Sequence, residues 1–92
     1  MFDLTGFKRD VLVIVSGLHE PNGLEIKEEL EEYYESEINH GRLYPNLNEL
    51  VDKGLIDKGK EDERTNKYIL TSAGEEAIED RHEWEEQYVD ID

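Results

Sequence analysis

Lys58, Lys60, Arg64 and Lys67 fall within one ten-residue stretch, four of only ten basic side chains in a 92-residue chain that carries 25 acids and a net charge of −15. Clustered ammonium and guanidinium groups suit a polyanion, because phosphate contacts need cationic side chains. Asn66, inside the same stretch, adds a neutral donor. A second group lies upstream: Asn39, His40, Arg42, Tyr44, Pro45 and Asn48. Arg and Asn match the guanine and adenine edges of the major groove respectively, each through two hydrogen bonds. Lys8 and Arg9 form a smaller basic site suited to a nucleic-acid backbone contact. The plainer reading of the same residues is a solvated helix face and a charged hairpin tip, since Glu61, Asp62 and Glu63 interrupt the basic cluster.

Catalysis and metal binding find little support. The chain has no cysteine, its serines and threonines sit at the edges of expected elements, and no nucleophile–base arrangement is visible. His82 and Glu86 are four residues apart, but His19 and His40 are distant in sequence, and a metal site needs three or four convergent ligands. The expectation is therefore a non-enzyme without cofactor or metal.

The recognition residues need elements to hold them. From Thr5 to Leu18 the apolar residues Phe7, Val11, Ile14, Val15 and Leu18 recur at helical spacing, although Val11–Val15 alone would also suit a buried strand. Asp3 or Thr5 can cap this helix. His19–Gly23 reads as a turn. A second helix follows, with Leu24, Ile26, Leu30, Tyr33 and Tyr34 as its stripe, and it breaks at Asn39-His40-Gly41, where Asn39 can cap the next. In that third helix Leu43, Leu47, Leu50 and Val51 give an amphipathic pattern, and Gly54 supplies the C-terminal stop. The period then shortens: Leu55–Lys58 and Lys67–Thr71 read as strands of a hairpin with a charged tip over 59–66. Thr71 or Ser72 caps a last helix, Ser72 with Glu75 making a capping box.

This order is mainly α with a small β-hairpin, a winged helix-turn-helix in which the third helix enters the major groove and the wing reaches the backbone or minor groove. The run Gly41-Arg42-Leu43-Tyr44-Pro45-Asn46-Leu47-Asn48-Glu49-Leu50, followed by Lys53-Gly54-Leu55-Ile56, resembles the recognition helix of the PadR family of transcription regulators. Tyr68-Ile69-Leu70-Thr71-Ser72-Ala73-Gly74 resembles that family's hairpin return. The resemblance spans about Asp10 to Ile78 and implies a homodimer, joined through the N- and C-terminal helices, on a palindromic operator. Two departures stand out. Arg42 replaces a small hydroxyl residue, and only one helix follows the wing, so the two-helix dimer arm of larger members is absent. The acidic, lysine-poor surface looks like that of haloarchaeal members.

Length and charge fit this frame. Ninety-two residues make one domain, in which 1–71 form the DNA-binding unit (recognition helix about 41–53, wing about 55–71) and 72–92 a C-terminal dimerisation helix. A chain this short buries only about two-thirds of its unfolded surface, and oligomerisation is one remedy. In the last helix Ala77, Trp84 and Ile91 are seven apart, and so are Arg81 and Tyr88, offset by four. Interleaved heptads make a coiled-coil-like seam, which Phe2, Leu4 and Phe7 are expected to cover. Residues 72–92 carry nine acids and one base, a net −8 that leaves −7 for 1–71. Apolar periodicity running almost to the end favours adaptation to strong salt over disorder as the origin of this acidity. No segment reads as a signal peptide or membrane span, so the expected setting is the cytoplasm. The expected function is a repressor-type, sequence-specific regulator binding double-stranded DNA as a homodimer, its small-molecule effector, if any, unspecified. The alternative is a winged-helix protein-interaction module whose acidic surface docks a basic partner without DNA.

Overall fold

The run Val11–Val15, equally suited to strand and helix by pattern, is helical in the computed structural model, which describes residues 1–90. Its surroundings decide the matter. Phe7, Val11, Leu12 and Val15 all turn into the core, a spacing that only a 3.6-residue period can place on one face. Thr5 caps the helix, its hydroxyl accepting from the Lys8 N–H. Val13 is left half-exposed on the opposite side, in keeping with a helix that has apolar residues on more than one face.

Six elements follow one another: α1 (Gly6–Gly17), α2 (Gly23–Tyr34), α3 (His40–Asp52), β1 (Ile56–Lys60), β2 (Asn66–Leu70) and α4 (Ser72–Glu86). Asn22 opens α2 with a full capping box, its side chain accepting from the Glu25 N–H while the Glu25 carboxylate accepts from the Asn22 N–H. Glu35 ends α2 in the left-handed conformation, φ 55°. Asn39 caps α3 through the Arg42 N–H. Leu43, Leu47 and Leu50 from α3, Ile26 and Leu30 from α2, and Ile38 between them close the core over α1. The α2 stripe is narrower than its sequence suggests: Leu24 and Tyr33 face outward, 57% and 73% exposed.

The wing is antiparallel, with Ile56 opposite Leu70, Lys58 opposite Tyr68 and Lys60 opposite Asn66. It is not isolated. The Tyr68 N–H donates to the Pro21 carbonyl at 2.8 Å, and Asn22 bridges to Lys67, so the turn before α2 acts as a rudimentary third strand. At the inner end, the Thr71 hydroxyl donates to the Gly54 carbonyl and the Thr71 N–H to the Leu55 carbonyl. This fastens the end of the hairpin to the end of α3.

Three expectations need correction here. Thr71, not Ser72, caps α4, accepting from the Gly74 N–H at 3.0 Å; Ser72 is already helical, which puts Glu75 one position too late for a capping box. Leu4 and Phe7 are buried in the protomer's own core and leave little surface for a partner. The last helix also ends at Glu86, so Tyr88 lies just beyond it, and Ile91 falls outside the described residues. Glu83, Glu85 and Glu86 with no base in the last turn oppose the helix dipole, a physical reason for an early stop. Among the described residues no helix is long and apolar enough to cross a membrane.

Candidate nucleic-acid interface

The outward face of α3 and one face of the wing meet at a single hydrogen bond, Lys58 Nζ to Asn48 Oδ1, 3.2 Å. Strand alternation explains why Lys58 is there. Ile56, Lys58 and Lys60 share one face of β1, as their opposites Leu70, Tyr68 and Asn66 share the matching face of β2. That face is apolar at Ile56 and Tyr68, both fully buried, and becomes cationic where it passes the edge of the core. Lys60 and Arg64 are exposed and carry no ion pair among the described residues.

Lys67 departs from the expected quartet. It projects from the other face of the hairpin, over Gly59, and its ammonium pairs with Glu20 at 2.6 Å. The pairing holds the Glu20 carboxyl below the usual carboxylate range, chiefly through that hydrogen bond. Lys67 thus secures the wing to the turn before α2, a role its sequence position alone did not suggest. Asn66 is half-buried and lines a groove of about 420 Å³ with Asn22, Gly23, Tyr44 and Arg64, between the start of α2, α3 and the wing. At the tip, Asp62 accepts from the Arg64 and Thr65 N–H groups, both at 2.8 Å, and these bonds, the Arg64 one first, lower its pKa. Of the three acids that interrupt the basic cluster, Asp62 is the one that shapes its turn.

On α3, Arg42 is exposed but fixed: its guanidinium carbon sits 4.0 Å from the centre of the Phe7 ring, a cation–π contact. Tyr44 is half-buried and stacks with His40, ring centres 5.4 Å apart, and its ring occupies the space that a side chain at Gly23 would need. Pro45 and Asn48 are exposed. Pro45 lies inside the helix, where its ring removes one backbone N–H from the ladder.

Lys8 and Arg9 separate. Lys8 turns to α3 and pairs with Glu49 at 2.7 Å, its side chain only 14% exposed, whereas Arg9 joins Ile78, Arg81 and His82 along a groove between α1 and α4. The sequence reading also missed a clasp behind Arg42: the Tyr34 hydroxyl donates to the Asp10 carboxylate, tying α2 to α1. Burial, and then that carboxylate, push the Tyr34 pKa up to about 12.

Away from this face, Trp84 and Tyr88 are 50% and 73% exposed and lie 5.3 Å apart, ring centre to ring centre. Arg81 lays its guanidinium 4.6 Å from the Trp84 ring. Ala77 is half-buried and Phe2 almost fully exposed. His82 bonds Glu86 at 3.0 Å, and the described residues contain no group of three or more His, Cys, Asp or Glu placed to hold a metal.

A three-helix unit with a wing, a cationic hairpin face abutting the third helix, and aromatic side chains left on and just past a fourth helix define a winged-helix DNA-binding regulator. Residues 11–80 match the family model of the PadR-like transcriptional regulators, and the chain belongs to that family, one of regulators and not of enzymes. It is similar to hsRosR as seen in a complex structure, at 48% identity and a TM-score of 0.91, over 98% of this chain and 80% of that one. RosR of H. salinarum grown from NaBr gives 48%, 0.89, 98% and 82%. A winged-helix DNA-binding protein from STIV, 20% identical with a TM-score of 0.67 over 91% and 90% of the two chains, shares the fold alone. No curated protein matches the chain in sequence.

Proposed function

We propose that this regulator binds a palindromic operator as a homodimer and acts as a repressor, occupying promoter DNA so that polymerase is excluded. The observation that carries the reading is the Lys58–Asn48 contact, because it joins the outward face of α3 and the cationic face of the wing into one surface. Arg42, Tyr44, Pro45 and Asn48, with Asn39 and His40 at the helix start, face the major groove in this reading. Lys58, Lys60 and Arg64, with Asn66 beside them, take the phosphates. Residues 1–71 form the binding unit, and 72–92 build the dimer through Ala77, Arg81, Trp84 and Tyr88, helped by Phe2. Two α3 helices then address successive major grooves roughly 34 Å apart. The 48% identity to RosR of H. salinarum supports a haloarchaeal setting, and the acidic surface is suited to a salt-rich cytoplasm.

Hydroxyl-radical footprinting on the DNA upstream of the chain's own gene tests this reading. The expected pattern is two protected tracts per strand, centred one helical turn apart and related by a two-fold axis. A single tract, or protection without symmetry, contradicts the dimeric operator.

A further inference from the structure

The exposed positions between Gly41 and Glu49 on α3 are Gly41, Arg42, Pro45, Asn48 and Glu49. Glycine and proline offer no side-chain hydrogen bond, so base reading from this stretch falls to Arg42, Asn48 and Glu49. Arg42 is a pure donor. Each of the two side chains that could accept already holds one ammonium: Asn48 Oδ1 that of Lys58 at 3.2 Å and Glu49 Oε2 that of Lys8 at 2.7 Å. Because an ammonium can only donate, it dictates which end of the Asn48 amide faces it, and the Nδ2 end is left free.

We infer that Lys8 and Lys58 bias the middle of α3 towards donation, so that it reads its half-site through acceptor edges, the N7 and O6 atoms of guanine, instead of using Asn48 for the paired contact to adenine. An adenine N6 or cytosine N4 amino group approaching Asn48 Oδ1 or the Glu49 carboxylate competes with the lysine already seated there. A guanine edge is met by N–H groups from Arg42 and from Asn48 Nδ2. Arg42 is braced for this by the Phe7 ring at 4.0 Å, which restricts the guanidinium plane before DNA arrives. Lys8 and Lys58 are therefore specificity-positioning residues: each sets the hydrogen-bond polarity of a neighbour on the recognition helix. The inference rests on the operator reading above and narrows it.

The test is enrichment of bound sequences from a randomised duplex library at high salt, with the wild-type chain and with Lys58→Met. The wild type is expected to select guanine at the base positions facing α3, and replacing that guanine by 7-deazaguanine is expected to weaken binding roughly tenfold or more. Lys58→Met frees Asn48 Oδ1 and is expected to admit adenine at one of those positions, a change of preference that loss of a phosphate contact alone would not produce. Selection of adenine or cytosine by the wild type at the α3 positions overturns the inference, as does an unchanged preference in Lys58→Met. Failure of the wild type to enrich any sequence overturns the operator reading, and the inference with it.

Discussion

The carbonyl oxygen of Leu55 fills the space in which a side chain at Gly74 would have to stand, with the Leu70 side chain close beside it. Gly74 is the only buried residue of α4, and its N–H is the donor that Thr71 caps. The close approach seats α4 on the junction between α3 and the wing. Gly74→Ala is expected to destabilise the fold by about 1–3 kcal/mol, because a Cβ here meets backbone and cannot be relieved by a rotamer change. Thermal unfolding at fixed salt and protein concentration reads the effect. An unchanged midpoint would show that the α4 start can shift at no cost.

Trp84 and Tyr88 stand half or more exposed on and just past α4, and removing such rings from water is the main driving force available to a dimer. Trp84→Glu is expected to yield a monomer that keeps the wild-type helix content. Sedimentation across a range of protein concentrations distinguishes the states. A variant that sediments as the wild type does would contradict a dimer seam on α4.

Burial of Tyr34, reinforced by its bond to Asp10, is expected to make stability fall in alkali. The folded-state pKa of Tyr34, about 12, lies above the ordinary phenol value near 10. Below pH ~10 both states are protonated and the clasp's contribution is complete. Between about 10 and 12 the unfolded state loses the proton first, so stability declines as pH rises. Tyr34→Phe is expected to remove that part of the slope. Denaturant midpoints from pH 9 to 12 for both chains provide the comparison, and parallel curves would show that Tyr34 ionisation does not govern stability in alkali.

Salt dependence carries the mark of the acidic surface. A DNA-binding protein of ordinary charge loses affinity steeply as salt rises, through release of counterions from phosphates. Here Glu61, Asp62 and Glu63 are exposed between Lys60 and Arg64, and carboxylates brought near phosphates require cations to be taken up. The slope of log affinity against log KCl is expected to be close to zero or positive, and to turn more negative in Glu61→Gln/Glu63→Gln. A steep negative slope for the wild type across molar KCl contradicts this account.

Element order was legible from the sequence because periodicity and caps agreed: Leu43, Leu47 and Leu50 at helical spacing after Asn39, and strand-like runs on either side of a charged tip. The candidate surface was legible in residue type and less so in direction. A sequence shows four bases in ten residues, but only the hairpin register puts Lys58 and Lys60 on one face and Lys67 on the other, where Glu20 takes it. Lys8 and Arg9 are neighbours in sequence, and the helical turn sends Lys8 to Glu49 on α3 and Arg9 to the groove between α1 and α4. Leu4 and Phe7 read as seam residues because apolarity does not say which surface it will cover. In a small domain the protomer's own core claims them first. Gly23 directly follows the capping residue Asn22 and Gly74 lies three residues after the cap Thr71, but the clearance they give Tyr44 and Leu55 depends on how the elements cross.

The central claim is that α3 and the cationic wing face form one DNA-binding surface, and fluorescence-anisotropy titration of labelled upstream DNA at high salt tests it most directly. The wild-type chain is compared with Lys58→Ala/Lys60→Ala/Arg64→Ala, all three side chains being exposed and outside the core. The account predicts saturable wild-type binding to its own upstream DNA over unrelated duplex, and loss of that binding in the triple variant with folding and dimerisation unchanged. Equal affinity of the two chains for that DNA, or no preference by the wild type over unrelated sequence, would contradict it.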